Sequence, residues 1–496
     1  MIAIREIKKI PIWAWVNALV AAGSVSLYVA MANQTQAVGF PLDDAWIHQT
    51  YARNLADLGE WSFIHGVPSA GSTSPMWTFI LSLFHLVSDQ VPFLLTFMMG
   101  TICLWVLSSL GELIFRRTTR YSGALPLAGL FLAMEWHLVW AGASGMETAL
   151  MAVIILAVFY FILPGTSKGY ILAGLLTGIG VWIRPDALTL VGPLLFCIYV
   201  SHSEWKERVK IGSWSLFAGL IPFGAYLLFN FFLSGQIWPN TFYAKQAEYA
   251  AMQETSVFLR YANLIVLPLV GVGSLVLPGF IYKLAKSIRN RDWFWISATL
   301  WWLGYNMIYA VKLPVTYQHG RYLIPAMPVF FLMGLIGAAE WMTPKKSQGR
   351  LIWVFKKGWM VSLVVVSVAF LGLGASSYAR DVAIINTEMV ETAKWLKANT
   401  SEDDLIAVHD IGAVGYFSQR NIIDLAGLVT PEVIPIIRDD DLLTQLLDTE
   451  GVAYLMTFPG WYSSLADGKP IIYQSAASFS PRSGGENMAV YRWDQE

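Results

Sequence analysis

The sequence predicts a polytopic α-helical membrane protein that ends in a small α/β domain outside the bilayer. Three observations carry that prediction. The 496 residues are 56% hydrophobic and only 14% charged, too apolar for an ordinary soluble enzyme. Apolar runs of the length that crosses a bilayer, about 20 residues, recur between residues 11 and 378. From about residue 380 they stop, and short β-branched runs alternate with Gly-rich turns. A net charge of −1 gives no basis for a nucleic-acid partner. Cys103 and Cys197 both lie inside apolar runs, where a free thiol behaves as a small hydrophobe, so no disulfide framework is expected.

The first apolar run, residues 11–31, follows a basic head, exceeds a signal-peptide core in length and lacks a small-residue cleavage site. It reads as an uncleaved first span. Further spans are placed at 91–115, 123–142, 148–164, 170–184, 186–200, 212–234, 257–283, 292–311, 322–342 and 357–378, about eleven in all. Positively charged loops stay in the cytoplasm. That rule gathers "REIKK", "RRTTR", "SKG", "EWKERVK", "KLAKSIRNR" and "PKKSQGRLIWVFKK" on one side. An odd number of spans then puts everything after Arg380 outside. The segment "SPMWTFILSLFHLVSD", residues 74–89, is apolar but short, with proline at its start. Counting it as a span would export every basic loop, so it reads as a re-entrant or interfacial helix on the outer side. Residues 1–379 form the membrane domain, with a first outer loop at 33–74, and residues 380–496 form the α/β domain. Its strands are sought in "DDLIAVHDIGAVGYFSQRNIIDLAGL", "GVAYLMTF", "KPIIYQ" and "NMAVYRW". No internal repeat or low-complexity tract is visible.

With this topology the outer face collects the polar oddities: "PLDDAWIH", "GVPSAGSTSP", "SGMETAL", "IRPDA", "WPNTFYAK" and "HGRYLIP". A transporter would instead line a path through the midplane with ionisable groups and show inverted repeats. Residues 44–58 read as a helix along the membrane surface, with Ile47, Tyr51, Leu55 and Leu58 on one face. Asp44 and His48 lie one turn apart, a spacing that lets both reach one proton or one metal ion. An aspartate before a helix also caps it, which accounts for one of Asp43 and Asp44 but not for both. Glu147 opens a span, and Arg184 and Asp186 are expected to pair with each other. Lys245 is either a phosphate ligand or a snorkelling lysine. Tyr317, His319 and Arg321 precede a span on the side where the positive-inside bias disfavours arginine, so Arg321 is expected to bind an anion or pair with a carboxylate. His85 and His137 read as packing or interface residues.

Carboxylates, a histidine and phosphate-suited cations on one face point to a phosphate-bearing lipid, and a lipid-phosphate-linked sugar fits best. Its phosphate is already an activated leaving group, so no nucleotide is needed. No P-loop or G-x-G-x-x-G stands in a suitable context. One aspartate would accept the acceptor hydroxyl's proton, and cations would hold the departing phosphate.

The ordered set "DDAWIHQTYARNLADLGEWSF", "GSTSPMWT", "SGMETAL", "IRPDAL", "WPNTFYAK", "GRYLIPAMP" and "DIGAVGYFSQRNIIDLAGL" resembles the GT-C glycosyltransferases. Over nearly the whole chain it is similar to the mycobacterial terminal arabinofuranosyltransferase family. The resemblance implies a multi-pass plasma-membrane enzyme whose active site and C-terminal domain are extracytoplasmic. It implies a polyprenyl-phosphate donor, with arabinofuranose as one sugar, and a cell-envelope glycan or a lipid as acceptor. Asp43 and Asp44 match the family's acidic pair and Glu147 the acidic residue of a second outer loop; Lys245, Tyr317, His319 and Arg321 fall in matching segments. Asp44 is the preferred base because it shares a helix turn with His48, while Asp43 orients the sugar or a metal. His48 and Glu147 would allow a divalent ion (Mg, Mn or Ca) without requiring one. The rivals are a flippase or transporter of lipid-linked solutes, and a non-catalytic membrane scaffold.

Overall fold

The computed structural model describes residues 11–88, 90–343 and 350–493. "REIKK" and residues 344–349, the start of the basic stretch after Thr343, lie outside them. The helices in chain order are α1 (Ile12–Thr35), α2 (Asp44–Leu58), α3 (Pro75–His85), α4 (Phe93–Thr119), α5 (Leu127–Met134), α6 (Trp136–Ala143), α7 (Thr148–Ile162), α8 (Ser167–Val181), α9 (Val191–Ser201), α10 (Trp205–Ser234), α11 (Asn240–Glu248), α12 (Val257–Ile265), α13 (Gly273–Asn290), α14 (Trp293–Lys312), α15 (Met327–Met342) and α16 (Arg350–Ile384). α16 runs on through a π-helical turn into α17 (Glu391–Asn399).

Each sequence-predicted span overlaps a helix, but not every span is one rod. Among the described residues five helical stretches are long and apolar enough to cross a membrane: Ile12–Thr35, Phe93–Thr119, Trp205–Ser234, Gln318–Met342 and Arg350–Asn399. The segment expected as a span at 257–283 is instead two helices, α12 and α13, bent by 106°. The 123–142 segment breaks at Glu135, whose carboxylate accepts from Leu138 N and caps α6. His137 bonds the same carboxylate, at 2.8 Å, which gives that histidine a packing role. Small residues set the tightest crossings. A Cβ added to Gly174 of α8 would stand 2.0 Å from the Ser215 carbonyl oxygen of α10, and one on Gly178, a turn later, 2.1 Å from that of Gly219. Such stripes let helix backbones pack where lipid offers no hydrophobic drive.

α2 is a correction to the sequence reading. It does not float on a surface with one apolar face: Trp46, His48, Gln49, Thr50, Tyr51 and Ala52 are buried as well as Ile47, while Leu58 is exposed. α3 packs beneath it through Trp77 and Leu81, and His85 bonds Gln49 at 2.8 Å. The C-terminal domain covers the other side, where Trp46 packs on Tyr416 and Phe417 and Arg53 Nη1 donates to the Tyr416 carbonyl.

A small hairpin of β1 (Ser62–Ile64) and β2 (Val67–Pro68) follows α2. The C-terminal strands are β3 (Leu405–Val408), β4 (Asn421–Asp424), β5 (Tyr454–Thr457), β6 (Ile471–Gln474) and β7 (Ala489–Arg492), in the sheet order β4-β3-β5-β7-β6. β4, β3 and β5 are parallel and β7 and β6 are antiparallel additions. All five strands fall in the segments expected from sequence. The short helix α18 (Ile411–Ala413), extended by the turn Val414–Ser418, connects β3 to β4.

Candidate active site

The helix ends on one face of the bundle surround a cavity of about 310 Å³. Its lining carries the polar and charged residues Asp44, Glu147, Arg184, Asp186, Lys245, Lys312, Arg321 and Tyr322 together with the apolar Trp238, Phe242, Ile308 and Leu313. The start of α2 supplies Asp44, the residue before α7 supplies Glu147, and α11 supplies Lys245. The turn leading to α15 supplies Arg321 and Tyr322.

Asp44 is the centre of one polar network. Arg321 Nη1 donates to it at 2.8 Å and Lys245 Nζ stands 3.6 Å away. Both cations also donate to the Tyr322 hydroxyl at 3.0 Å. Burial alone would raise the Asp44 carboxyl, but Arg321 and Lys245 more than offset it and hold the group below the usual carboxylate range. Burial likewise pulls Lys245 down, and Tyr322 and Asp44 outweigh it, so its ammonium is held protonated. Next to this triad lies a second network. Glu147 stands 3.5 Å from His48 Nε2 and 3.6 Å from Arg184 Nη1. Arg184 pairs with Asp186 at 3.2 Å, as expected from their spacing, and Asp186 also accepts from Tyr305 and Tyr309 at 2.6 and 2.5 Å. His48 Nδ1 is held by Thr78 and Ser72, at 3.0 and 3.2 Å, in the "GSTSPMWT" segment. Arg321 Nε, Asp186 Oδ1 and Thr241 Oγ1 are buried without a hydrogen-bond partner among the described residues. Each such group costs about 1–3 kcal/mol unless solvent or a ligand meets it.

Three residues expected at the site stand elsewhere. Asp43 is absent from the cavity wall: its carboxylate accepts the backbone N–H groups of Gly412 and Ala413 at 2.6 and 2.8 Å. Consecutive residues in helical conformation point about 100° apart, and Asp43 already has helical dihedrals, so the two carboxylates part company. Nor does Asp43 cap its own helix. Burial and the Asp410 carboxylate push its pKa up, against the pull of the two N–H groups. His319 turns away from Arg321 because Gln318, His319 and Gly320 all take positive φ; its Nε2 meets Asp381 at 2.8 Å, between Trp136 and Trp140. Tyr317 is half-exposed and shares its hydroxyl with Tyr249. Sequence reading in turn passed over Tyr322, Tyr305 and Tyr309. The last two are one turn apart on an apolar helix, a spacing that could have marked a polar face.

Among the described residues, no group of three or more His, Cys, Asp or Glu is placed to hold a metal ion. The Asp44 carboxylate faces two cations, and His48 is committed on both nitrogens.

Comparison with solved structures decides the architecture. ArnT from Cupriavidus metallidurans bound to undecaprenyl phosphate overlaps 97% of this chain and 98% of its own, at a TM-score of 0.61 and 13% identity. The Archaeoglobus fulgidus oligosaccharyltransferase in the apo form overlaps 92% of this chain and 71% of its own, at a TM-score of 0.57 and 9% identity. The chain has the GT-C fold. The arabinosyltransferase EmbB from Mycobacterium smegmatis overlaps 78% of this chain and 43% of its own, at a TM-score of 0.43 and 14% identity. Residues 380–491 match a family described as a domain of unknown function (DUF8728). No curated protein sequence matches the chain significantly. In GT-C terms, the cavity lies where the first loop after α1, carrying Asp44, meets the loops before α7 and α15.

Proposed function

We propose that the chain moves a sugar from a polyprenyl-phosphate donor to the hydroxyl of an acceptor at the cavity. One observation carries the reading: the Asp44 carboxylate is clamped between two cations, Arg321 and Lys245, in a cavity that also presents an apolar surface of Trp238, Phe242, Ile308 and Leu313. That is the charge pattern of a phosphoryl-lipid site with a base beside it. A donor phosphate competes with Asp44 for Arg321 and Lys245. As it takes them, Asp44 loses the charges that suppress its basicity and becomes able to accept a proton. The acceptor oxygen then bonds to the anomeric carbon, its proton passes to Asp44, and the carbon–oxygen bond to phosphate breaks with its electron pair on the polyprenyl phosphate. Arg321 and Lys245 stabilise that leaving anion without a metal ion. Glu147, Arg184 and Asp186 line the adjacent wall, where hydroxyls of the transferred sugar would bind.

Orientation supports an extracytoplasmic site. Cavity residues stand at or just beyond the C-terminal ends of α10 and α14, and the basic residues Lys206, Arg208 and Lys210, or Arg289 and Arg291, at or before their N-terminal ends. α10, one of the stretches long and apolar enough to cross a membrane, has 30 residues, about 45 Å at the α-helical rise, which favours cavity and basic loops on opposite sides of a bilayer and, by the positive-inside bias, a cavity on the outer side. The ArnT structure holds undecaprenyl phosphate, which favours the same donor lipid here. The proposed sugar is arabinofuranose and the acceptor a cell-envelope glycan, both on the sequence resemblance. Purified protein incubated with radiolabelled polyprenyl-phosphate sugars and membrane glycans tests the reading. Product names the sugar, and vesicle translocation without product would overturn transfer in favour of a flippase.

A further inference from the structure

Among the described residues the C-terminal domain adds none to the cavity wall, yet it grips two of the segments that line it. The carboxyl ends of its three parallel strands all face the membrane domain, the end where α/β sheets carry their functional loops. After β3, the N–H groups of Gly412 and Ala413 hold the Asp43 carboxylate. The approach is backbone to backbone, since a Cβ on Gly412 would stand 2.0 Å from the Asp43 carbonyl oxygen. After β4, Leu428 and Val429 press on Gly71, where an added Cβ would stand 2.9 and 2.6 Å from them. After β5, Tyr462 and Trp461 hold the ring of His409, by a 2.8 Å hydrogen bond to Nδ1 and an edge contact at 5.1 Å. His409 Nε2 in turn stands 3.6 Å from Glu248. Glu248 ends α11, three residues after Lys245 and so on its neighbouring turn. Thus residues 409–413 touch both α2 and α11, the helices whose Asp44 and Lys245 face each other at 3.6 Å.

We propose that this stretch is a clasp that sets the register of the donor-phosphate site, with Asp43, His409 and Glu248 as positioning residues. The domain of unknown function thereby gains a role: it fixes the carboxylate-bearing and lysine-bearing segments relative to each other. The proposal rests on the donor reading above only for the identity of the ligand. The hold of the domain's sheet on the helical turn that leads into it from α16 is served elsewhere, by the buried Glu388, which accepts from Met488 N at 2.9 Å and from Ser475.

The test uses the full chain in detergent and has two readouts. In the absence of lipid, hydrogen exchange of the α11 amides should speed up in His409→Leu and in Glu248→Leu, and stay at the wild-type rate in Glu388→Gln. Titration with undecaprenyl phosphate should show about tenfold weaker binding in each single clasp variant, a loss within the range of coupled pairs. The double variant should be no weaker than the weaker single, and His409→Lys, which restores a cation facing Glu248, should recover most of the affinity. Unchanged exchange in both clasp variants, additive losses in the double, or an equal loss in Glu388→Gln would overturn the clasp. Wild-type protein that binds no undecaprenyl phosphate, with exchange altered as expected, would sink the donor reading and leave the clasp standing.

Discussion

Replacing Asp44 by asparagine separates the proposed chemistry from every structural role of that residue. Asparagine keeps an oxygen that can accept from Arg321 at the present 2.8 Å but has neither charge nor useful basicity. The structural cost is at least the difference between a hydrogen bond to a charged group and one to a neutral group, about 1 kcal/mol, and rises toward the ~3–5 kcal/mol of a broken buried pair because Arg321 and Lys245 lose their anion. For a chain of this size that shifts Tm by only a few degrees. The catalytic cost falls on the barrier and is read separately: loss of a positioned base lowers turnover by about 100-fold or more, equivalent to at least ~2.7 kcal/mol. Binding should move the other way. Asp44 occupies the two cations that the phosphate needs, so removing its charge frees Arg321 and Lys245, and Asp44→Asn should bind undecaprenyl phosphate at least as tightly as wild type. The assay pairs single-turnover transfer from a radiolabelled donor with titration of undecaprenyl phosphate. Full turnover in Asp44→Asn, or lipid-phosphate affinity that collapses together with turnover, would refute the reasoning.

Arg321→Ala and Lys245→Ala should weaken donor use by about tenfold or more while the protein still folds, and Arg321→Lys should recover only part, because a lysine cannot make the planar, forked contact; unchanged donor KM in both alanine variants would remove these residues from the site. The His409 imidazole is pulled down by burial but pushed up further by Glu248, Asp410 and Asp424, to about 9. A raised folded-state pKa stabilises fully below the unfolded value of about 6.5 and is lost as pH rises through 9, so the Tm advantage of wild type over His409→Gln should shrink between pH 6.5 and 9 and vanish above it. A phosphatase reporter fused after Asn399, where the helix continuing α16 ends, should be active, whereas a β-galactosidase fusion there should not; the opposite pattern would put the cavity in the cytoplasm. Activity should survive EDTA, since the charge at the phosphate comes from Arg321 and Lys245, and a loss restored by Mg or Mn would contradict that assignment.

The positions of the apolar helices and of the five C-terminal strands were legible in the sequence because each follows from a local rule. A bilayer demands about 20 apolar residues in a row, and a half-buried strand shows itself by composition and turn residues. The polar segments bordering the cavity were legible too, as breaks in that apolar pattern. What local rules cannot give is direction. Arg321 and Asp44 lie 277 positions apart and meet at 2.8 Å, whereas Asp43, adjacent to Asp44, faces the C-terminal domain because one step along a helix turns a side chain by about 100°. His319 and Arg321 are separated by a single residue, and a run of positive φ sends one to Asp381 and the other to Asp44. The 106° bend between α12 and α13 and the burial of α2 against the C-terminal segment that carries Tyr416 and Phe417 likewise depend on partners distant in the chain. The sequence thus determined which residues were available to a lipid-phosphate site. Only the tertiary structure decided which of them share a cavity, because that choice is made by packing between segments that no periodicity connects.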